Sequence, residues 1–319
     1  MKLILASLLL SILTPALAQT YPIKPIRIIH HNAAGGPPDT QFRGLQPLIA
    51  PVLGQQLVIE NRVGADGIIG AEAFVRSAPD GYTLFLANQG TVVANPVVRE
   101  KLPYNVDDFV PIMLTGEFRS LVIVHPSVPA NSLKEIIALA RAKPGYVTWS
   151  VGSSAPTTTS ILYVNWFKKA HGIEFLAVPY KSTTESLNGV LSGQAMLTVY
   201  ADGLAAKQVQ SGKLRAIGTV GDKRSTVMPE VPSMKEQGID LNVRSWYGLF
   251  GLKGTPDPII RRLNADIRSI MDRPDFQAKY TNGLGMMYES FTPEQFAAFL
   301  RSEREEFIAL AKLLDLKKE

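Results

Sequence analysis

The sequence predicts an α/β protein of two lobes, each a mainly parallel sheet flanked by helices, with two crossover strands as the hinge. Three observations lead there. Short β-rich runs alternate with amphipathic helical runs along most of the chain, the pattern of layered domains built on parallel strands. The 319 residues are enough for about two compact domains. No linker, repeat or low-complexity tract separates two such domains, so the lobes have to share more than one connection.

In chain order, the first eighteen residues read as an export signal. Lys2 supplies the charge, Leu3 to Leu13 the apolar run, and Ala16-Leu17-Ala18 a small-x-small cleavage site, with cleavage expected after Ala18. Thr14-Pro15 stops the run short of the roughly 18 apolar residues a membrane span needs. Ile26 to Ile29 is the first strand, followed by a Gly/Pro turn and a helix from about Thr40 that Pro47 and Pro51 should shorten or kink. Further strands are expected at Leu57 to Ile59, Tyr82 to Ala87, Leu121 to Val124, Thr148 to Val151, Phe175 to Val178 and Leu214 to Val220. Ser132…Glu135, Ser182…Glu185 and Thr292…Gln295 have capping-box spacing, so each marks a helix start. Ile259, Leu263, Ile267 and Ile270 recur at helical spacing, as do Phe296, Leu300, Phe307 and Leu310; both stripes read as core faces. The crossovers fall at Phe118 to Val124 and Arg244 to Leu252. They divide the chain into a first lobe of 19–121 plus 247–319 and an inserted second lobe of 122–246, with a cleft between them.

Composition removes several classes of function. With no cysteine there is no disulfide, thiolate metal site or cysteine nucleophile. The net charge of +5 is mild and its lysines and arginines are scattered, whereas a nucleic-acid surface needs a concentrated basic patch with interleaved aromatics. A weakly positive protein modestly favours anionic solutes. His30, His31, His125 and His171 show no metal-ligand spacing, and the nucleophile elbow, the P-loop and the dinucleotide fingerprint are all missing. Gly64-Ala65-Asp66-Gly67-Ile68-Ile69-Gly70 has the wrong spacing for a dinucleotide and reads as a backbone turn before a helix.

Two bends carry the candidate chemistry, each between a strand and a helix. The first is Asn32-Ala33-Ala34-Gly35-Gly36-Pro37-Pro38-Asp39. Glycine brings backbone amides close to a ligand, and a helix start adds free N–H groups and partial positive charge, which together suit an anion. No Lys or Arg lies between Ile28 and Phe42, so dipoles rather than an ion pair would hold it. The plainer reading is a structural turn capped by Asp39. The second bend is Ser150-Val151-Gly152-Ser153-Ser154-Ala155-Pro156-Thr157-Thr158-Thr159, rich in hydroxyls, in a stretch from Val147 to Phe167 with no charge. Its plainer reading is a helix cap.

Read end to end, the chain resembles the Bug (TctC) family of periplasmic receptors for tripartite tricarboxylate transporters. The resemblance rests on Tyr21-Pro22-x-Lys24-Pro25-Ile26-Arg27, Gly35-Gly36…Asp39, Glu60-Asn61-Arg62-x-Gly64-Ala65-x-Gly67, Ala78-Pro79-Asp80-Gly81-Tyr82-Thr83-Leu84, Val178-Pro179-Tyr180-Lys181, Pro229-Glu230-Val231-Pro232-Ser233 and Ser245-Trp246-Tyr247-Gly248-Leu249-Phe250. Any one piece is weak, but their order and spacing are specific. The resemblance implies a Venus-flytrap fold closing on a carboxylated solute, gripped through backbone amides and waters by a turn from each lobe. It places Asn32, Ala33, Ala34, Gly35, Gly36 and Asp39 in the site, with Gln89, Gly90 and Thr91 from the same lobe. From the other lobe come Ser150, Gly152, Ser153, Ser154, Thr157, Tyr200 and Asp202.

The chain also departs from that family. Asn32 replaces an aromatic wall, Ala33 and Ala34 gain N–H donors where the family has prolines, and Pro37 and Pro38 lose theirs. In the second bend only Ser150 and Gly152 align comfortably. Arg119 and Arg244 stand at the crossovers where small or neutral residues are common; one could pair with a ligand's distal carboxylate through a bidentate contact, and solvated surface is the plainer expectation for both. The expected function is a monomeric periplasmic receptor that captures a small mono- or dicarboxylate for a tripartite tricarboxylate-type transporter. It would use no catalytic residue, cofactor or metal, and its partners would be the ligand and the membrane subunits. A sensory protein signalling to a membrane kinase through the same cleft is the alternative. An exported hydrolase is a third reading, which predicts turnover of a bound ester or amide.

Overall fold

The computed structural model describes residues 21–152, 159–180, 182–241, 243–316 and 318. The chain opens with β1 (Ile26–His30), α1 (Pro37–Leu53), β2 (Leu57–Asn61), α2 (Ile68–Val75), β3 (Thr83–Asn88) and α3 (Asn95–Val98), then crosses on β4 (Phe109–Phe118). The second unit follows as β5 (Ser120–Val124), α4 (Leu133–Ala142), β6 (Thr148–Val151), α5 (Thr159–His171), β7 (Leu176–Pro179), α6 (Thr183–Leu191), β8 (Leu197–Ala201), α7 (Asp202–Gln210) and β9 (Arg215–Thr219). The chain returns on β10 (Ser245–Leu252) and ends with α8 (Asp257–Met271), α9 (Pro274–Tyr280), β11 (Met286–Met287) and α10 (Pro293–Leu313).

These strands make two sheets, a six-stranded one ordered β11-β4-β10-β3-β1-β2 and a five-stranded one ordered β7-β6-β8-β5-β9. The expectation of mainly parallel sheets is corrected: both are mixed. β1 pairs parallel with β2 and β3, and β6 parallel with β7 and β8. β10 runs antiparallel to both β3 and β4, and β5 antiparallel to both β8 and β9. The reason is connectivity. A strand that carries the chain across from one unit to the other meets its new sheet from the opposite end. The passage from β4 to β5 is the single residue Arg119, and the return ends at Arg244. Ser120 and Leu121 therefore pair in the second sheet and Ser245 and Trp246 in the first, a small offset from expected breaks after 121 and 246.

Local sequence accounts for the helices. Ser132 and Ser182 each accept the backbone N–H three residues on, and Thr292 with Gln295 forms a complete capping box. α8 buries Ile260, Leu263, Ile267 and Ile270 against the first sheet, while Ile259 packs at its edge. α1 is longer than the short helix expected from Thr40, running 17 residues from Pro37. Pro47 and Pro51 lie on its exposed side, four residues apart, so the carbonyls they leave unbonded meet water. Phe42, Leu45, Ile49 and Leu53 hold the opposite side in the core. Phe74, Phe85 and Phe109 centre the first lobe's other layer, with ring centroids 5.3 to 5.5 Å apart. Trp149, with Phe175 at 5.2 Å, centres the second lobe.

Candidate functional site

In open α/β sheets ligands sit beyond the carboxyl ends of parallel strands, and both sheets place theirs toward one cleft. β1, β2 and β3 end at His30, Asn61 and Asn88. The residues just after them, His31-Asn32, Val63 to Gly67 and Gln89-Gly90, line a cavity of about 560 Å³. β6 and β8 end at Val151 and Ala201, and Gly152, Tyr200 and Ala201 line a second cavity of about 240 Å³ with Ser160, Thr183 and the crossover residues Glu117 to Ser120. Thr159, Arg244 and Ser245 line both, so the two cavities are halves of one cleft between the sheets.

The first bend is built around Asp39. Gly35 has φ +87°, a left-handed conformation that favours glycine. Its N–H donates to Asp39 Oδ2 at 2.9 Å. Arg43 Nε donates to the same oxygen at 2.7 Å, and Asn61 Nδ2 donates to Oδ1 at 2.9 Å. Burial pushes this carboxyl up, but the hydrogen bonds from Arg43, Gly35 and Asn61 together bring it below its ordinary value. Asp39 is wholly buried, and it sits inside the first turn of α1, whose N-cap is Gly36. With prolines at 37 and 38, that turn has lost two amide donors and gained a carboxylate, so it offers an anion little.

Near the first bend, Asn32 faces the larger cavity and donates to the Tyr247 hydroxyl. Ala33, Ala34 and Gly35 are exposed, and neither they nor Gly36 are among the cavity-lining residues. His31 forms a neutral wall. Burial, and then the neighbouring His30, pull its pKa down to about 3. Its Nε2 accepts the Asn88 N–H at 3.2 Å, and its ring stacks on Tyr247 with centroids 6.0 Å apart. Gln89 and Gly90 line the cavity, but Thr91 lies behind them, fully buried and bonded to the Asn88 side chain and the Asp66 carbonyl.

The second bend rests on a buried hydroxyl cluster. Ser150 Oγ lies 2.6 Å from Ser186 Oγ, which lies 3.1 Å from Thr198 Oγ1, and Thr198 donates back to the Ser150 carbonyl at 2.9 Å. Ser150 is thus a support beneath the cavity, at 0 % exposure. Gly152 is on the wall, and a Cβ there would come 2.7 Å from Thr183 N, so the start of α6 closes on this one position. α5 begins at Thr159 and α6 after Ser182, and Thr159, Ser160 and Thr183 face the cavity. Two helix N-termini, with their partial positive charge, therefore open onto it. Ser153, Ser154 and Thr157 lie outside the described residues. Tyr200 is half-buried on the wall. Asp202 lies behind it, where burial raises its pKa against hydrogen bonds from Ser225 Oγ (2.6 Å) and Gly203 N (2.6 Å).

Four groups in the cleft are not among the site residues that the sequence predicts. The Gly64 to Gly67 turn lines the larger cavity, and its signal is position alone, directly after a strand parallel to β1. Arg119 and Arg244, expected as solvated surface, have side chains only 12 % and 28 % exposed, and both line the smaller cavity. Glu117 is the fourth, a carboxyl whose pKa burial raises while Arg244 and then Arg119 oppose the shift. Among the described residues no group of three or more His, Asp or Glu is placed to hold a metal, and no helix is long and apolar enough to cross a membrane.

Comparison with known proteins agrees with this arrangement. The model of the tripartite tricarboxylate transporter family receptor (TctC) matches residues 41–314, and the chain belongs to that family. A protein encoded in the gbd 5′ region of Cupriavidus necator is 34% identical over 314 residues, 95% of this chain and 92% of the relative. A solved periplasmic transporter is 31% identical with a TM-score of 0.77, over 93% of this chain and 99% of that one. MatC from Rhodopseudomonas palustris with bound malate is 27% identical, with a TM-score of 0.74 over 91% and 99% of the two chains. Members of the family are periplasmic solute-binding receptors, not enzymes, and the fold is that of two-lobed binding proteins. The hydrolase reading is thereby set aside.

Proposed function

We propose that this chain captures a small organic carboxylate, a mono- or dicarboxylate, in the periplasm and delivers it to the membrane subunits of a tripartite tricarboxylate-type transporter. The observation that carries the reading is the shared cleft. It lies at the carboxyl ends of the parallel strands of both sheets, walled by neutral backbone turns, by two helix N-termini and by the arginines of the crossovers. Such a wall neutralises an anion through backbone N–H groups and helix dipoles together with charge-assisted contacts from arginine. The malate held by MatC, a relative with this fold, supports the same ligand class. The chain is exported by residues 1–18, cut after Ala18, and acts as a monomer whose closed form the membrane partner recognises. A thermal-shift screen of organic acids tests the ligand class, since a ligand at 100 times its Kd adds roughly 2.7 kcal/mol of stability. At least one small carboxylate should raise Tm while neutral analogues leave it unchanged. A panel in which no acid does so overturns the proposal.

A further inference from the structure

Among the described residues, the charged groups lining the smaller cavity are one carboxyl, Glu117, and two guanidinium groups, Arg119 and Arg244. The two arginines are not equally committed. Arg244 is held from behind by Glu303 (3.3 Å) and Glu306 (3.9 Å), and its guanidinium lies 5.4 Å over the Phe299 ring. Arg119 is the one-residue link between the sheets, with its backbone fixed by the bond its carbonyl accepts from Asp202 N at 3.0 Å. Its ion pair with Asp222 runs from Nη1 and spans 3.8 Å, too long for a hydrogen bond. Its Nε is buried without a partner among the described residues. A buried donor left unmade costs stability, and the fork geometry of arginine says what would satisfy it. A carboxylate meets Nε and Nη2 in parallel, and that edge is the one Asp222 leaves open.

We infer that Arg119 is a specificity-determining residue, whose Nε/Nη2 edge takes a second acidic group on the ligand. The protein then prefers a dicarboxylate to the monocarboxylate of equal chain length. This rests on the carboxylate-receptor reading above. One acidic group sits against the neutral turns and helix N-termini, and the other reaches the crossover. Glu117 is the carboxyl that opposes it. Its burial disfavours the charged form while the two flanking guanidinium groups favour it, and among the described residues the cavity walls carry two cations to one acid.

Calorimetric titration of the mature protein with butanedioate against butanoate, and hexanedioate against hexanoate, reads the preference directly. The wild type should bind the better dicarboxylate at least about tenfold more tightly than its partner acid. Arg119→Met should bring that ratio close to 1, the loss falling on the dicarboxylate. Arg119→Lys keeps the charge without the fork and should give an intermediate ratio, which guards against a loss caused by misfolding. Asp222→Asn removes the competing anion and should keep or raise the ratio. A ratio near 1 in the wild type, or one unchanged in Arg119→Met, overturns the inference while leaving the receptor reading intact. Failure of every acid to bind the wild type overturns both.

Discussion

Asp39 and Ser150 do the same work on opposite sides of the cleft. Each lies behind a bend and sets the path of the backbone, leaving the wall itself to neutral groups. At Asp39 this takes a buried carboxylate with three kinds of donor, and at Ser150 a chain of hydroxyls. Ligand contact is therefore expected from the residues in front of them, and Gly152 is the sharpest test. A methyl group added there would meet Thr183 N at 2.7 Å and Thr183 Cα at 2.8 Å, which are backbone atoms that cannot rotate away. The strain falls on the start of α6, within the cavity wall, while the hydroxyl cluster beneath is untouched. Gly152→Ala should weaken carboxylate binding by about tenfold or more, with a stability loss within the ~1–3 kcal/mol typical of overpacking. Calorimetry and thermal melts on the same preparation separate the two effects, and unchanged affinity would remove Gly152 from the wall.

At the scale of elements, the C-terminal helix α10 closes the first lobe and also reaches the crossover. Glu303 on α10 accepts Trp246 Nε1 at 2.7 Å and pairs with Arg244 at 3.3 Å. Burial pushes its pKa up to about 7, against the Trp246 hydrogen bond and Arg244. A carboxyl that holds its proton more tightly folded than unfolded makes stability fall as pH rises from its ordinary value through the folded one. Glu303→Gln removes that slope, so the variant should gain on the wild type in Tm between pH 5 and pH 8. A difference that stays flat over that range would sink the assignment. How far such elements are legible in the sequence depends on local signals. β1, β2, β3, β5, β6, β7 and β9 stand where alternating or β-branched runs put them, to within a residue or two, and three capping motifs mark three helices. β4 is not legible, because Pro111 argues against an interior strand; the sheet tolerates it beside a register shift against β10. Of the cavity lining, Asn32, Gln89, Gly90, Gly152 and Tyr200 are named from pattern and resemblance. The roles of Asp39, Thr91 and Asp202 behind the wall, and of Arg119 and Arg244 on it, depend on which way side chains turn at strand ends, and spacing along the chain does not encode that.

For the whole molecule, function depends on how the two lobes approach each other, since a ligand that touches both shifts their equilibrium toward closure. In the proposed receptor that motion would turn on the crossovers, where Arg119 is a single residue between β4 and β5. Beside them the lobes already meet without side chains: Gly203 at the start of α7 faces Gly285, in the turn before β11, which has φ +73°. A Cβ on Gly203 would lie 2.7 Å from Gly285 Cα and 3.3 Å from Gly285 N. The clash is backbone against side-chain root and cannot be relieved by a rotamer, so it acts as a wedge between lobes while leaving each sheet as it is. Overpacking of this kind costs ~1–3 kcal/mol, and in a closing equilibrium every 1.4 kcal/mol is about tenfold in affinity. Gly203→Ala should show a larger radius of gyration by small-angle scattering at saturating ligand. It should also bind about tenfold more weakly, with an unchanged circular dichroism spectrum. Wild-type affinity together with a wild-type radius in that variant would mean that the lobes do not need this contact to close.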